Sequence, residues 1–520
     1  MAIISLPLAR DAWGWLEMNS PSAETDRAQD DLDALERRLQ EGSGTHETAE
    51  RYHAAALACG QLERARRLFD LLRKKHADNL QMAGLYIAIC LQQGDDPAAM
   101  AAIEALAAGT APPEGLLDAG LAIRRRLGPM EPDPAATSLS LCMIARNEAP
   151  MLAPCLFGVK PLVDEIILID TGSQDRTADI GRLFGAKVHA FTWCDDFAAA
   201  RNFALSKASG QWILVLDVDE VIAPADFSTF RELMRSGQGA PVAFTIETRN
   251  YCHTANSLGW QANDGRYRSH EAGLGWFPSR KVRLFRRQPD VRFHFPVHER
   301  VEPSLKNVDG IAVCNVPVHH YGHLNEARNQ EKARKYYALG YAKLEAMAHD
   351  AAAIRELAVQ AGQLERWEEA IVLWQRLLAI RPEYPEAMVN LSAAHWQLSR
   401  YAQSLEWARR AVAKDPTLKE AGFNLALGHL LMGDFQRAES ILGMVLKQQP
   451  GYLAAAFMLS IAKACLSSDE QAVAIMQRLG QSAAGSALPM AIEDIRCRLI
   501  AAGHLRAGER VQHAFVEFLR

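Results

Sequence analysis

Three short apolar runs, each closed by polar residues, constrain the fold of the middle of this chain more than any other feature. The runs are Leu139–Ile144, Glu165–Ile169 and Trp212–Leu216. Continuous apolar runs of this length are typical of buried parallel strands. Open α/β sheets bind their ligands at the carboxyl ends of such strands. The sequence therefore predicts an α/β domain in which three strand ends form one binding edge.

The bulk properties describe an ordinary globular protein. A chain of 520 residues is too long for one hydrophobic core, so about two to four domains are expected. A hydrophobic content of 49% with 23% charged residues is typical of soluble proteins. The net charge of -5 argues against a nucleic-acid partner, which would usually meet a basic face.

The cysteines and the apolar segments bear on the cellular compartment. Nine scattered cysteines without a C-x-x-C pair suit reduced thiols better than a disulfide framework or a zinc site. The amino-terminal segment is too short for a signal peptide, and no run is long enough to span a membrane. We therefore expect a cytoplasmic protein without a membrane span.

The first 130 residues have the apolar spacing of helices, interrupted by glycine and proline. This pattern predicts helical hairpins, which we interpret as degenerate versions of the repeat described next. The proline-rich segment 128–134 cannot hold a helix and is interpreted as a linker. The α/β domain is predicted over residues 137–345.

A repeat with a period of 34 residues fills the last third of the chain. Positions that share this interval are Pro382, Pro416 and Pro450; Leu357, Leu391, Leu425 and Leu459; Ala370, Ser404 and Ala438; and Trp367, Tyr401 and Phe435. Agreement at four phases of a 34-residue period indicates tetratricopeptide repeats. Each unit is a helix hairpin that buries its apolar face only by stacking on its neighbours. Residues 350–520 are therefore predicted to be stacked all-α hairpins with capping helices.

The acidic triplet Asp217-Val218-Asp219 directly follows the third apolar run. Side chains two residues apart in an extended segment point the same way, so we expect the two carboxylates to lie together. Two close carboxylates repel each other unless a cation joins them. A hard divalent ion whose other ligands are phosphate oxygens meets this need. The alternative is a solvated surface turn, where such triplets are common.

The second strand end and a later helix offer further polar groups. The segment Asp170–Thr177 combines a glycine turn with hydroxyls and carboxylates, and either Ser173 or Asp175 is predicted to cap the following helix. A capped helix start also presents N–H groups to an anion, so Asp175 is a candidate residue of a cofactor-binding site. Arg201 is a candidate phosphate ligand, with a surface salt bridge as the alternative. The basic cluster Arg280–Arg287 is either a solvated strand edge or a diphosphate contact.

Four motifs in order resemble one known enzyme family. These are LCMIARNEAPMLAPCL, DEIILIDTGSQDRT, FTWCDDFAAARNFAL and GQWILVLDVDE. Together they resemble the family 2 inverting glycosyltransferases of the GT-A fold, over roughly residues 138–340. The fusion to tetratricopeptide repeats is similar to a bacterial branch that includes glycosyltransferases modifying bacteriocin peptides on Cys or Ser.

The resemblance implies roles for the strand-end acids. In the family, an acidic residue after the first strand and an Asp after the second hold the nucleoside, and here these are Glu148 and Asp170. Asp217 corresponds to a residue near the ribose or the metal, and Asp219 to a ligand of the metal that bridges the diphosphate. The resemblance thus implies a nucleotide-sugar donor, with uridine the commoner base, and a divalent Mn²⁺ or Mg²⁺ ion.

The catalytic base is less well marked. Many family 2 enzymes carry it in a Glu-Asp pair after the triplet, and no such pair occurs in the expected region of this sequence. The pair His298-Glu299 resembles the corresponding element of the repeat-fused branch, so we predict Glu299 as base and His298 as its partner. Glu271 is the rival base, and a packed core histidine is the alternative for His298. His320 is predicted to complete the metal site with Asp219, or else to cap a helix.

The repeats indicate the acceptor. Stacked hairpins form an extended surface suited to polypeptides, so the predicted activity is hexosyl or N-acetylhexosaminyl transfer to a protein or peptide. A cell-envelope glycosyltransferase acting on lipid-linked sugar or lipopolysaccharide, and an inactive repeat scaffold, are the alternatives. Trp260 and Trp276 either stack on a sugar or pack in the core. The sugar, the acceptor atom (oxygen or sulfur) and the oligomeric state are left open.

Overall fold

The computed structural model divides into two compact units. The first unit comprises residues 1–246 and 280–318, and the second comprises residues 247–279 and 319–520. The structure describes residues 23–42, 45–76, 79–109, 114–133, 137–235, 241–253, 260–297, 299–305, 310–324, 334, 337, 340, 341, 344, 350–480 and 488–518.

In the described part of the first unit, six helices precede the sheet. They are α1 (Ala23–Gln40), α2 (His46–Ala58), α3 (Leu62–Lys75), α4 (Leu80–Gln92), α5 (Asp96–Gly109) and α6 (Glu114–Leu127). Their predicted apolar faces are buried, as the edge-on packing of Tyr52 against Phe69 at 5.9 Å illustrates. Thr45 caps α2 and Asn79 caps α4 through their side chains. The prediction that helices fill this region is confirmed.

A mixed sheet follows the helices. Its strands are β1 (Leu139–Ala145), β2 (Glu165–Asp170), β3 (Lys187–Ala190), β4 (Trp212–Val215), β5 (Glu220–Val221), β6 (Ala243–Cys252), β7 (Gln261–Ala262), β8 (Gly275–Arg286) and β9 (Ile311–His320). Within the part of the chain that is described, the order is β3-β2-β1-β4-β8-β6-β9-β5, with β7 paired to β8. Strands β1 to β4 pair in parallel, whereas β8 runs antiparallel to β4.

The parallel strands are apolar on both faces because both faces of the sheet are covered. On β1, Leu141 and Met143 belong to one core cluster and Cys142 belongs to another, as the alternation of side chains in a strand requires. The covering helices are α7 (Ala149–Val159), α8 (Thr177–Leu183), α9 (Phe197–Lys207) and α10 (Phe227–Leu233). Three of the parallel strands end at the predicted polar segments, so these segments lie at one edge of the sheet.

The second unit contains the repeat helices. They are α11 (Ala351–Gln363), α12 (Trp367–Ile380), α13 (Pro385–Gln397), α14 (Tyr401–Lys414), α15 (Lys419–Leu431), α16 (Phe435–Gln448), α17 (Leu453–Cys465), α18 (Asp469–Gly480), α19 (Leu488–Ala501) and α20 (Leu505–Ala514). The period follows from packing, since Leu357 and Leu391 are fully buried at equivalent places in successive hairpins. The predicted stacked hairpins are confirmed.

Segment 247–279 contributes to the core of this second unit. Trp260 is fully buried and lies 6.2 Å from Tyr452, ring to ring. Trp276 is also buried, beneath the guanidinium of Arg249. Both tryptophans therefore pack in the core, as the second of the two alternatives predicted. Among the helices that the structure describes, none is long and apolar enough to cross a membrane.

Candidate donor and acceptor site of the first unit

The acidic triplet lies in a turn just beyond β4. The backbone N–H of Glu220 donates to the carbonyl of Asp217 at 3.1 Å, which closes the turn. Asp219 is buried, with 6% of its surface exposed, whereas the side chain of Asp217 is 38% exposed. The expectation of an extended segment is therefore wrong, because the chain reverses here before it enters β5.

A buried ion pair holds this turn. Glu220 and Arg283 are 1% and 4% exposed, and two hydrogen bonds of 2.6 and 2.5 Å join their carboxylate and guanidinium groups. Glu220 Oε2 also accepts the backbone N–H of Asp217 at 2.8 Å, and Arg283 Nη1 donates to the carbonyl of Val215 at 3.3 Å. These hydrogen bonds therefore hold the backbone of the turn at Asp217 and at Val215. Neither residue carried a recognisable signal in the sequence, because each resembled an ordinary surface charge.

Arg201 joins two acidic residues that are far apart in the chain. It lies on α9, which begins after Asp196, whose side chain caps the helix. Its Nη2 donates to Asp217 Oδ1 at 2.5 Å and its Nε donates to Glu299 Oε1 at 3.1 Å. Arg201 is only 6% exposed. Arg201 therefore makes these ion pairs from a buried position and not from the surface, although the side chain of Asp217 is partly exposed.

The neighbouring charges shift the pKa values of Asp217 and Arg201 in favour of their charged forms. Burial alone would raise the pKa of Asp217, but the positive charges of Arg201, Arg283 and Lys281 lower it well below its usual range. Burial disfavours the charged form of Arg201, yet the carboxylates of Asp217 and Glu299 raise its pKa above the ordinary value. Asp217 is therefore a carboxylate, and Arg201 a cation, at neutral pH.

The loops after β1 and β2 are held together by hydrogen bonds. The N–H of Asn147 donates to Ser173 Oγ at 2.9 Å, and the N–H of Gln174 donates to Asn147 Oδ1 at 2.8 Å. Asn147 has a φ of 54°, a left-handed conformation that Asn tolerates better than most residues. The two loops therefore form one surface at the carboxyl edge of the sheet.

Asp175 organises the starts of two helices. Its Oδ1 accepts the N–H of Thr177, and its Oδ2 accepts the N–H of Ala149 at 3.1 Å. The residue in the N-cap position of α8 is Arg176, so the prediction that Ser173 or Asp175 occupies it is wrong. Asp175 instead accepts the first N–H of α8 from one residue further back and, across the loops, the first N–H of α7. Burial would raise the pKa of Asp175, but its hydrogen bonds lower the pKa below the ordinary value.

Glu148 and Asp170 lie on the same edge. Glu148 is 9% exposed, and its backbone N–H donates to Thr177 Oγ1 at 2.8 Å. Asp170 ends β2, and its Oδ1 accepts the N–H of Ser173 at 2.9 Å. The structure thus brings both residues to the edge that the strand ends form, and their contact with a nucleoside stays a prediction.

The two base candidates have different surroundings. Glu299 is partly buried against Arg201. Glu271 belongs to the second unit, where both of its oxygens accept the backbone N–H of Gly265, at 3.0 and 3.1 Å. Glu271 therefore serves as the acceptor within a turn, which favours Glu299 as the base. His298 lies outside the described residues, so its role as partner stays a prediction.

The ligand set of a divalent ion is only partly formed by the protein. No group of three or more His, Cys, Asp or Glu side chains gathered for a metal occurs within the described ranges. The oxygen donors of Asp219 and Asp217 suit a hard ion that takes its remaining ligands from a diphosphate. His320 belongs to the second unit, and its Nδ1 lies 2.7 Å from Asn250 Oδ1. Its pairing with Asp219 stays a prediction.

The basic cluster on β8 is mainly structural. Arg283 is buried against Glu220, Arg286 lies over the Trp212 ring, and Arg287 Nε donates to the carbonyl of Gly210 at 2.8 Å. Lys281 is exposed and contributes its charge to the neighbourhood of Asp217. Of the two alternatives for this cluster, Lys281 suits a diphosphate contact, whereas these three arginines support the fold.

Comparisons with known proteins agree with this arrangement. The family description Glycosyl transferase family 2 matches residues 140–296, and Tetratricopeptide repeat matches residues 355–418. A TPR repeat-containing protein of Synechococcus elongatus is 36% identical over 48% of this chain and 59% of its own length. The SPbeta prophage-derived glycosyltransferase SunS of Bacillus subtilis is 27% identical over 37% of this chain and 41% of its own length.

A third relative is an uncharacterized glycosyltransferase of Rickettsia felis, 36% identical over 16% of this chain and 30% of its own length. The chain thus spans less than two thirds of each of these relatives. The matched segment 140–296 contains the strand ends, the acidic triplet and Arg201. The chain is therefore similar to family 2 glycosyltransferases over residues 140–296 and to tetratricopeptide repeats over residues 355–418.

Proposed function

We propose that this protein is a metal-dependent inverting glycosyltransferase. It transfers a hexosyl or N-acetylhexosaminyl group from a nucleotide-diphosphate sugar, with UDP as the nucleotide, to a protein or peptide. The observation that carries the proposal is the position of Arg201 between Asp217 and Glu299. One buried cation thereby links a carboxylate assigned to the donor with a carboxylate assigned to the acceptor.

On the donor side, the joined loops after β1 and β2 receive the nucleoside through Glu148 and Asp170. Asp175 supports them by fixing both helix starts. Arg201 keeps one further donor for a phosphate oxygen, because its buried Nη1 has no hydrogen-bond partner among the described residues. A guanidinium with this geometry suits a diphosphate oxygen.

Asp219 and Asp217 would hold the divalent ion. When bound, the ion neutralises the charge that develops on the leaving diphosphate. The protein's own contribution is to present two carboxylates on a turn that Glu220 and Arg283 keep fixed. Because the turn is ordered before a donor arrives, little conformational freedom is lost on binding.

On the acceptor side, Glu299 takes the proton from an acceptor hydroxyl or thiol as that group attacks the anomeric carbon. The nucleotide diphosphate leaves from the opposite face, so the configuration inverts in a single displacement. Arg201 orients the carboxylate of Glu299 through its 3.1 Å hydrogen bond. An oriented base of this kind is what proton transfer in the transition state requires.

The repeats supply a surface for a polypeptide acceptor. A cavity of about 340 Å³ lies between α13, α15, α17 and α19 of the second unit, and it is lined by aromatic rings and by side-chain amides. The rings are Trp396, Phe423, Tyr452 and Phe457, and the amides are Asn390, Gln397 and Asn424. Rings offer apolar contact area, and amides can both donate to and accept from a peptide backbone.

Replacement of the base tests the proposal. Glu299→Gln should retain the binding of the sugar nucleotide and lose about 10²–10⁴-fold in transfer, the usual contribution of a general base. Binding is measured by thermal shift with Mn²⁺ and a UDP-sugar, and transfer by mass spectrometry of the acceptor. Equal transfer by the variant and the original protein would exclude Glu299 as the base.

A matched pair of variants tests the acceptor surface. Trp396→Ala removes a ring from the cavity, whereas Met444→Ala removes an exposed side chain (54%) elsewhere on the repeats. The first should raise the KM for a protein acceptor while the second should not. A rise in KM with both variants, or with neither, would remove the cavity from the acceptor site.

A further inference from the structure

An exposed aromatic side chain lies beside the proposed base in a backbone conformation that is unfavourable for it. Phe295 is 56% exposed and has a φ of 74°. For a bulky aromatic residue this left-handed conformation is a clear outlier and costs free energy. Strain of this kind concentrates at functional sites, and an exposed phenyl ring in water gains nothing in return.

A short bridge places this ring next to the base. His294 and Arg300 exchange both backbone hydrogen bonds, at 2.8 and 3.0 Å, as an isolated antiparallel pair. Phe295 and Glu299 are the first residues inside this bridge on either side. The loop therefore begins at Phe295 and ends at Glu299, and the two residues adjoin the bridge that closes it.

Two further rings lie at the start of α9 and in the segment just before it. The rings of Trp193 and Phe197 meet edge to face at 4.7 Å. The backbone N–H of Phe197 donates to the carbonyl of Pro296 at 2.8 Å, which joins this pair to the loop that contains Phe295. Phe197 also lies one helical turn before Arg201, on the same face of α9. We call Trp193, Phe197 and Phe295 the aromatic rim.

Polar atoms of Trp193 and Asp196 are engaged within the fold. The indole N–H of Trp193 donates to Asp195 Oδ1 at 2.8 Å, and Asp195 itself has a φ of 55°. The side chain of Asp196 accepts the N–H of Ala199. The side-chain donor of the rim itself, the Trp193 indole N–H, is therefore used within the fold, and the three rim side chains offer ring surface. A sugar acceptor would need hydrogen-bonding partners for its hydroxyls, whereas an apolar side chain needs only contact area.

We propose that the aromatic rim is an acceptor subsite that binds an apolar side chain of a polypeptide, next to the residue that receives the sugar. This inference rests on the proposed function, because it takes Glu299 as the base. The rim and the candidate site share α9, where Phe197 is hydrogen-bonded to Pro296 and Arg201, one turn further on, is hydrogen-bonded to Glu299. An apolar side chain held there sets which Ser or Cys of the polypeptide reaches the base.

A peptide library tests the subsite. The full chain is incubated with Mn²⁺, UDP-sugars and short synthetic peptides that carry one central Ser or Cys with randomised flanks, and modified peptides are identified by mass spectrometry. The original protein should modify a subset enriched in Phe, Leu, Ile, Val or Met beside the modified residue. Phe295→Gly should lose this enrichment, and its ratio of peptide modification to donor hydrolysis should fall about tenfold, as the loss of one aromatic contact predicts.

Stability separates this subsite from a structural role. Glycine accepts a positive φ without strain, so Phe295→Gly should melt at the same temperature or higher while acceptor selection is lost. Phe157→Ala, which removes another exposed ring (44%) of the first unit, should keep the enrichment of the original protein.

Two results overturn the subsite: unchanged enrichment with Phe295→Gly, or donor consumption by the original protein without modification of any peptide. Absence of donor turnover with every UDP-sugar would instead overturn the proposed function, and the subsite with it.

Discussion

Arg201 and Glu299 are 98 positions apart in the chain, yet a hydrogen bond of 3.1 Å joins the guanidinium Nε of one to a carboxylate oxygen of the other. The same guanidinium holds Asp217. A helix that follows the third strand of the sheet thereby connects the acidic turn with the loop that carries the proposed base. Loss of this cation should therefore affect folding, donor binding and transfer together.

Arg201→Met should lower the free energy of unfolding by about 3–5 kcal/mol, because removing one partner of a buried ion pair leaves charged groups uncompensated. Urea denaturation monitored by circular dichroism measures the change. Arg182→Met is the matched control, since Arg182 is 51% exposed and pairs with Asp179 at the surface. Its cost should be at most about 1 kcal/mol. Similar losses for the two variants would contradict the buried role of Arg201.

The Glu220–Arg283 pair should matter more for the shape of the acidic turn than for stability. Arg283→Met alone leaves a buried carboxylate and should be destabilising, whereas the double variant Glu220→Leu with Arg283→Met should regain much of the stability, since apolar pairs often replace buried ion pairs at little cost. The affinity for Mn²⁺ and UDP should still fall in the double variant, because the N–H of Asp217 loses its acceptor.

The control for this pair is Arg124→Met. Arg124 pairs with the buried Glu104 in the helical part of the first unit, away from the strand ends. That variant should lose stability without a change in nucleotide affinity. Unaltered affinity in the Glu220–Arg283 double variant would show that the pair only fills space.

The lowered pKa of Asp175 predicts that the free energy of unfolding depends on pH in the acid range. Its hydrogen bonds lower its pKa from the ordinary 3.8 in the folded protein. The folded state therefore favours the ionised form, and the stabilisation is present above pH 3.8 and is lost as the pH falls below that value. Asp175→Asn should lower the free energy of unfolding at neutral pH by about 0.5–1.5 kcal/mol, the net contribution of one hydrogen bond, because Asp175 is exposed and water replaces part of the loss. The difference from the original protein should shrink towards acid pH in urea titrations at each pH, and a constant difference would count against the assignment.

The thiols should differ sharply in reactivity. Cys194 and Cys497 are exposed, whereas Cys142 and Cys155 are buried, and burial raises the pKa of both buried thiols above the ordinary 9.0. The thiolate is the reactive form, so a thiol reagent at pH 8 should label the exposed pair quickly and the buried pair only after unfolding. The Sγ of Cys155 donates to the backbone carbonyl of Glu220 at 3.2 Å, which places it against the acidic turn. Peptide mapping by mass spectrometry measures the labelling, and rapid labelling of Cys155 in the native protein would contradict this place.

The local parts of this architecture were predictable from the sequence, and the long-range parts were not. The three apolar runs and the 34-residue period follow from side-chain alternation and from helix packing, which leave a repeating signal along the chain. The edge of the sheet followed from these, and with it the neighbourhood of Asp170 and Asp217. Such signals depend on residues that are close in sequence.

The ion pairs carry no such signal. Arg283 lies in a run of basic residues that has the composition of a solvated strand edge, and only the fold shows that it is buried against Glu220. The acidic turn was expected to be extended. Its reversal could not be predicted, because it depends on the ion pair between Glu220 and Arg283, which are 63 positions apart. In the same way, Asp175 accepts the first N–H of α7 although it lies in the loop after β2, 26 positions further along the chain. Such contacts depend on the tertiary arrangement alone.

Calorimetric titration of the full chain with UDP, with Mn²⁺ or with a chelator, tests most directly whether the acidic turn is a donor site. UDP should bind in the presence of Mn²⁺, and the affinity should fall by at least about tenfold, or 1.4 kcal/mol, when the metal is removed or when Asp219 is replaced in Asp219→Ala. GDP titrated in parallel reports the base preference. Binding of UDP with the same affinity with and without metal, and in Asp219→Ala, would contradict the account, and so would the absence of binding by both nucleotides.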